Sequence, residues 1–271
     1  MQGLPAEEYP GFVDFIHRLA DDTVKKLFDQ FRAPILVENK HENNESLGFD
    51  PVTGADREAE QVITDAITAA WPDHEIVGEE FGVRGAGGDY RWTIDPIDGT
   101  RAFLAGLPTW GTLVALSYRG RSCIGLMSQP FTGERYWNDA EATHYRGPGG
   151  ERRLKTSQCA TISDALLATT DPFMFGDGAE ERAFAALRER ARITRYGGDC
   201  YSYCQLAAGF IDVIVETWLK PYDIAALVPI VRQAGGVIST WQGDAPEAGG
   251  QIVATANARL HEEVISVLNL S

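Results

Sequence analysis

Apolar side chains recur at nearly helical spacing through residues 10–32, at Phe12, Phe15, Ile16, Leu19, Val24, Leu27, Phe28 and Phe31. The spacing predicts an amphipathic helix that Pro34 ends. Residues 41–50, HENNESLGFD, are polar and turn-rich and read as a mobile loop. A second helix is expected from near Asp56 to Trp71, where Pro72 stops it. Strand-like runs follow at Glu75–Val77, Tyr90–Ile94, Thr112–Tyr118, Ser122–Gln129 and Glu134–Trp137, separated by glycine or proline. After about residue 160 helical segments (Glu180–Arg190, Cys200–Ala208, Ile224–Ala234, Arg259–Leu268) alternate with short apolar strands (Ile193–Arg195, Val213–Val215, Ile252–Ala254). The first half, about 1–155, therefore reads as helices plus a largely antiparallel sheet, and the second, about 156–271, as alternating α/β. With no repeat and no low-complexity linker between them, the halves are expected to form one domain with the active site in the cleft they share.

Composition narrows the classes. The 44% apolar and 23% charged shares are those of a globular protein. No stretch nears the roughly 18 consecutive apolar residues of a membrane helix. The first residues are acidic where a secretory signal would be basic, so a cytoplasmic location is expected. The chain carries 39 acidic against 24 basic residues, a formal charge of −15. Such a surface repels nucleic acid and anionic lipid, and argues against both as partners. An acidic protein with an anionic substrate also needs a bridging cation. Cys123, Cys159, Cys200 and Cys204 form no CxxC pair and read as reduced, packed thiols. The histidines His17, His41, His74, His144 and His261 are scattered without ligand spacing.

The strongest chemical signal is the run Trp92-Thr93-Ile94-Asp95-Pro96-Ile97-Asp98-Gly99-Thr100. An apolar strand delivers two aspartates three apart, held by a proline turn, and then a Gly-Thr that can open a helix. Hard divalent cations take oxygen ligands, and two carboxylates on a rigid turn can hold two ions as two-metal phosphoryl chemistry requires. Backbone amides at Gly99 and Thr100 would face a phosphate if a helix begins there. The plainer alternative is a turn with Asp98 as helix N-cap. Three more acidic patches fit the same picture: Glu79 and Glu80 after a predicted strand, Asp56 with Glu60 at a helix start, and Asp223 opening an apolar helix. Taken singly, Asp56 and Asp223 could be N-caps and the glutamates solvated loop charges.

The segments GEE, DPIDGT and PYDIAA, with VTGAD upstream, resemble the inositol-monophosphatase superfamily of lithium-sensitive, magnesium-dependent phosphatases, from about Lys40 to Gly236. The resemblance implies an α+β fold, a layered αβαβα sandwich of the inositol-monophosphatase / fructose-1,6-bisphosphatase type, and a homodimer. It also implies two to three Mg2+ ions. Glu79, Asp95 and the Ile97 carbonyl would hold the first, Asp95, Asp98 and Asp223 the second, and Glu79 would help a weaker third. Asp56 and Thr100 would position and activate the attacking water, and the Gly99 and Thr100 amides would grip the phosphate. No covalent nucleophile is needed. One departure is the stretch 41–48, longer than the usual link, which bears on the placement of Lys40.

Within the superfamily, Phe49–Thr53, Gly99–Phe103 with Gly106-Leu107-Pro108, Gln129-Pro130-Phe131, Arg195–Tyr203 and Ile211–Glu216 before LKPYD resemble the histidinol-phosphatase branch. Polyol-selective relatives carry a small neutral residue near Asp199. Histidinol phosphate bears an ammonium group and an imidazole that is partly protonated near neutral pH. A carboxylate at Asp199, helped by Glu216, would pair with that cation, and Arg195 would help line the pocket. The plainer reading makes Asp199 a helix cap. The expected reaction is hydrolysis of L-histidinol phosphate to L-histidinol and phosphate. The alternatives are an inositol-1-monophosphatase or broad sugar-phosphate monophosphatase, and, from another class, a catalytically silent metal-binding regulatory protein.

Overall fold

The computed structural model describes residues 3–34, 36–39 and 51–270, so Lys40, the 41–50 loop expectation and the Phe49-Asp50 part of the branch motif lie outside the described residues. Helix α1 (Tyr9–Gln30) buries Phe12, Phe15, Ile16, Leu19 and Leu27 of the predicted stripe, while Phe28 is exposed and Phe31 is the C-cap just past the helix. Strand β1 (Val37–Asn39) pairs antiparallel with β2 (Pro51–Thr53), which leads directly into α2 (Gly54–Ala70). Strands β3 (Glu75–Gly78), β4 (Gly82–Arg84) and β5 (Tyr90–Asp98) follow, then the short helix α3 (Thr100–Leu104). The meander β6 (Gly111–Tyr118), β7 (Arg121–Gln129), β8 (Glu134–Asn138), β9 (Thr143–Gly147) and β10 (Gly150–Arg153) completes an eight-stranded sheet ordered β10-β9-β8-β7-β6-β5-β3-β4. Only the β3–β5 pair in it is parallel among the described residues, close to the expected antiparallel sheet.

The second sheet is built from β11 (Leu166–Thr169), β12 (Ile193–Tyr196), β13 (Val213–Leu219), β14 (Val237–Thr240) and β15 (Gly250–Thr255), in the order β12-β11-β13-β15-β14. It is mixed: β11 runs parallel to β12 and β13, while β15 runs antiparallel to β13 and β14. Its helices are α4 (Ala179–Arg190), α5 (Asp199–Ala207), α6 (Pro221–Ile224), α7 (Leu227–Gln233) and α8 (Ala258–Leu270).

Strand alternation sorts these elements into layers. Trp92, Ile94, Val114, Leu116, Ile124 and Leu126 face α1 and α2, whereas Leu113, Ala115 and Met127 face α5 and α7. On the second sheet Ala168, Ile214, Ile252 and Ala254 meet the same two helices from the other side. Leu167, Val213, Val215 and Val253 pack instead against α4 and α8. The result is the layered αβαβα sandwich. The close approach in the middle requires glycine at Gly125 of β7, where a Cβ would stand 1.9 Å from the Ala226 carbonyl oxygen.

Three local expectations change. The helix expected over Ile224–Ala234 is two helices, because Pro229 lacks the N–H that would reach the Ala225 carbonyl. The second helix starts at Gly54 rather than Asp56, with Thr53 as its N-cap. Strands β1, β2, β4, β9, β10, β11 and β14 are not among the expected runs; all are short, and in β4 and β10 every residue is exposed, so no apolar alternation marks those two.

His17 on α1 lies edge-on to Trp137 of β8, ring centroids 4.5 Å apart. Burial, with the Arg146 and Arg135 charges behind it, pushes its imidazole down to about 4. A depressed imidazole means that the unfolded chain takes up the proton first, so its contribution to stability is lost as pH falls from about 6.5 towards 4. His17→Gln should therefore flatten the loss of stability between pH 7 and pH 5, read as urea midpoints against wild type. Equal losses in both proteins would remove His17 as a contributor.

Candidate active site

Asp95 and Asp98 share one strand and are three residues apart, a spacing that places side chains on opposite faces of a regular strand. They converge because β5 is bulged. Asp95 stands opposite Leu113 and Asp98 opposite Gly111, so three residues of β5 span two of β6. Pro96 occupies the bulge, where its missing N–H breaks no ladder bond, and its carbonyl accepts the Thr112 hydroxyl at 2.9 Å. Asp223 comes from the other side of the cleft, at the third position of α6. One oxygen from each of Asp95, Asp98 and Asp223 lies within 4.8 Å of the others.

Each of the three carboxylates is oriented by a main-chain N–H. Ile97 donates to Asp95 Oδ1 at 3.0 Å, Cys200 to Asp98 Oδ2 at 2.8 Å, and Lys220 to Asp223 Oδ2 at 2.7 Å. These bonds favour the ionised form, yet the surroundings oppose it. Burial, then the charges of Glu79, Asp98 and Asp223, holds Asp95 well above the usual carboxylate range. Burial, then Asp223 and Asp199, does the same to Asp98. Asp223 is pushed up to about 7, by burial first and by Glu79 and Glu216 after it. A cluster clamped in the geometry of carboxylates but electrostatically unable to ionise together fits a divalent cation, and an all-oxygen donor set suits a hard one.

Glu79 sits close enough for its charge to act on Asp95 and Asp223. Its turn is shaped by Glu60 of α2, whose carboxylate accepts the N–H groups of Glu80 (2.8 Å) and Phe81 (2.9 Å). A Cβ at Gly78 would lie 1.9 Å from that carboxylate, so any larger residue there would push Glu60 off the turn. From sequence Glu60 was only an acid near Asp56; no pattern marks a positioning residue that acts through main-chain bonds.

Asp56 closes a capping box rather than serving as the N-cap itself: its Oδ2 accepts the Thr53 N–H at 2.8 Å and the Thr53 hydroxyl at 2.6 Å. Its Oδ1 is buried without a hydrogen-bond partner among the described residues. Burial, with Glu80 and Glu79 nearby, pushes Asp56 up to about 6. The Thr100 hydroxyl donates to the Ile97 carbonyl at 3.1 Å. Gly99, not Asp98, is the N-cap of α3, at φ 83°, where a Cβ would stand 3.0 Å from the Asp199 side chain.

Gly99, Thr100, Asp199 and Asp223 line one cavity of about 570 Å³ together with Arg101, Asp171, Phe173 and Trp218. Asp199 is the first residue of α5; Gly198 is the N-cap and no side chain caps the helix. Asp199 is pushed up to about 7 by burial and the Glu216 charge, against the pull of Arg101. Glu216 lies buried, its oxygens accepting the Thr170 N–H (2.9 Å) and the Tyr203 hydroxyl (2.8 Å). Arg195 is exposed on the edge strand β12 and is not among the residues lining the cavity. Trp218 and Phe173, which do line it, carry no sequence signal: one is a single aromatic near the end of β13, the other a single aromatic in the loop between β11 and α4.

Residues 12–270 match the family model described as the inositol monophosphatase family. The chain belongs to that family. This inositol monophosphatase family member is 36% identical over 261 residues to the bifunctional phosphatase IMPL2 of Arabidopsis thaliana, covering 92% of the chain and 72% of the relative. It is 35% identical over 271 residues to a histidinol-phosphatase of Streptomyces coelicolor, covering 96% and 98%. A solved inositol monophosphatase from Zymomonas mobilis superposes with a TM-score of 0.84 at 35% identity, covering 96% and 98%. The protein is thus a phosphoric monoester hydrolase of a metal-dependent family that acts on small phosphate monoesters. Among the described residues no helix is long and apolar enough to cross a membrane.

Proposed function

We propose that this phosphatase hydrolyses L-histidinol phosphate to L-histidinol and inorganic phosphate with Mg2+. The observation that carries the reading is Asp199, a half-buried carboxylate in the wall of the cavity that also holds Asp223, Gly99 and Thr100. It puts an anionic site beside the phosphate site, where the alcohol of the substrate must lie. An ammonium or imidazolium group satisfies that carboxylate; a ring of neutral hydroxyls leaves its charge unmatched. The likeness to a histidinol-phosphatase over nearly the whole chain supports the same choice.

In this reading Glu79, Asp95 and the Ile97 carbonyl would hold one ion, Asp95, Asp98 and Asp223 a second, and Glu79 would contribute to a third. Bound magnesium would supply positive charge to the phosphoryl oxygens and lower the pKa of water. The chain's own groups do the rest. The buried Oδ1 of Asp56 accepts the proton of the attacking water, and Thr100 Oγ1 aligns that water. The N–H groups of Gly99 and Thr100, at the first turn of α3, hold phosphoryl oxygens. Asp199 takes the cationic end of the alcohol, with Glu216 behind it and Arg195 at the periphery. Family resemblance adds a homodimer and lithium sensitivity to the proposal, a cytoplasmic location belongs to it as well, and the formal charge of −15 argues against a nucleic-acid partner.

The test is kcat/KM for L-histidinol phosphate against inositol 1-phosphate at matched magnesium, with chelated enzyme as the zero. A preference of at least about tenfold is expected, equivalent to about 1.4 kcal/mol. A ratio near one or below it would replace this reading with a broad inositol or sugar monophosphatase. No turnover of any ester would leave the metal-binding regulatory protein.

A further inference from the structure

Trp218 is out of place by every ordinary criterion. Its backbone lies in the left-handed region at φ 65°, which a bulky side chain avoids and a glycine takes at no cost. It lies inside a second β-bulge: Glu216 stands opposite Ile252 and Leu219 opposite Gly250, so three residues of β13 span two of β15. Bulges of this kind commonly seat a left-handed glycine. The indole is also 72% exposed, so core packing does not explain it. The same cavity is lined by Phe173, 86% exposed, whose N–H donates to Asp171 Oδ1 at 2.9 Å. Backbone outliers kept against their cost concentrate at ligand sites. Two solvent-facing aromatics on the walls of a cavity that also contains Asp199 form a site with π faces and negative charge together.

We propose that Trp218 and Phe173 determine specificity by flanking the leaving alcohol and stacking on a flat, cationic ring whose charge meets Asp199. The inference rests on the substrate reading above and deepens it. The carboxylate selects positive charge, and the aromatic walls select a planar ring that carries it over a small ammonium alone. An aromatic face within about 6 Å of a cation attracts it through its quadrupole. Trp218, next to the Glu216 bulge position, is the stronger of the two walls because indole has the larger π surface.

The test compares wild type with Trp218→Gly, Trp218→Leu and Trp218→Phe on L-histidinol phosphate and glycerol 2-phosphate, with L-histidinol binding measured by calorimetry. Trp218→Gly removes the strain with the ring, so its melting temperature should hold or rise. Its KM for L-histidinol phosphate and its Kd for L-histidinol should each rise about tenfold. Trp218→Leu should behave like Trp218→Gly, and Trp218→Phe should stay within about threefold of wild type. Glycerol 2-phosphate turnover should be unchanged in all three. A wild-type preference for L-histidinol phosphate that survives in Trp218→Gly overturns the aromatic wall alone. Equal losses on both esters overturn it too, since they would show a structural role. A wild-type protein that does not prefer L-histidinol phosphate overturns the substrate reading, and the stacking proposal with it.

Discussion

Asp98→Asn should lower kcat by at least about a hundredfold, the scale of losing one electrostatic stabiliser of a phosphoryl or acyl transition state. In chelator the same variant should melt higher than wild type. The two effects have one cause. Asp98 is held well above the usual carboxylate range by burial and by Asp223 and Asp199. A carboxyl whose folded pKa is raised is at its most stabilising below its unfolded value, and that contribution is lost as pH rises through the folded pKa. At pH 8 in chelator the cluster therefore opposes folding. Asparagine removes the charge, and its amide oxygen can still accept the Cys200 N–H that Asp98 Oδ2 accepts at 2.8 Å. Magnesium should then raise the melting temperature of wild type by several degrees, as a ligand at about a hundredfold its Kd adds roughly 2.7 kcal/mol. The rise should be much smaller for Asp98→Asn. A variant with near-normal turnover and the full magnesium shift would reduce Asp98 to the end of a strand.

Asp199→Asn should raise KM for L-histidinol phosphate about tenfold to a hundredfold and leave glycerol 2-phosphate nearly untouched. Cations and the Gly99–Thr100 amides hold the phosphate, which every ester shares, so they cannot discriminate between alcohols. Losing a hydrogen bond to a charged group costs on the order of 1.5–3 kcal/mol. Asparagine is the cleaner substitution because Asp199 lies at φ 43°, a conformation that asparagine tolerates and alanine does not. The helix-cap explanation that competes from sequence has lost its basis, since Gly198 occupies the cap. Parallel losses on both esters would nonetheless withdraw Asp199 from the specificity pocket.

Much of this was legible along the chain, for reasons tied to particular residues. The helix over α1 and the strands around β5 to β8 follow from apolar periodicity, which burial enforces directly. Asp95 and Asp98 stand out because one short string carries both. What sequence hides is geometry that depends on a neighbour. The bulges of β5 and β13 are register differences against β6 and β15, and neither strand records them alone. Glu60 matters through main-chain bonds to a turn twenty residues away, which no side-chain pattern announces. Glu216 is expected from its acid charge to help Asp199, but the Thr170 and Tyr203 donors that hold its oxygens come from other elements and are not written beside it. Trp218 escaped notice altogether, because a backbone angle is not written in residue type.

The shared middle layer has a consequence for synthesis. One face of the eight-stranded sheet is covered early, by α1 and α2, which leave the ribosome before the strands they cover. The opposite face, with Leu113, Ala115, Met127, Tyr136 and Tyr145, waits for α5 and α7, which begin at Asp199 and Leu227. Throughout that interval the nascent chain presents a broad apolar surface with nothing of its own to dock on it, the condition under which folding intermediates associate with one another. A fragment ending near residue 155 keeps that condition permanently. It should be recovered in aggregates, and supplying residues 156–271 in trans during refolding should rescue it.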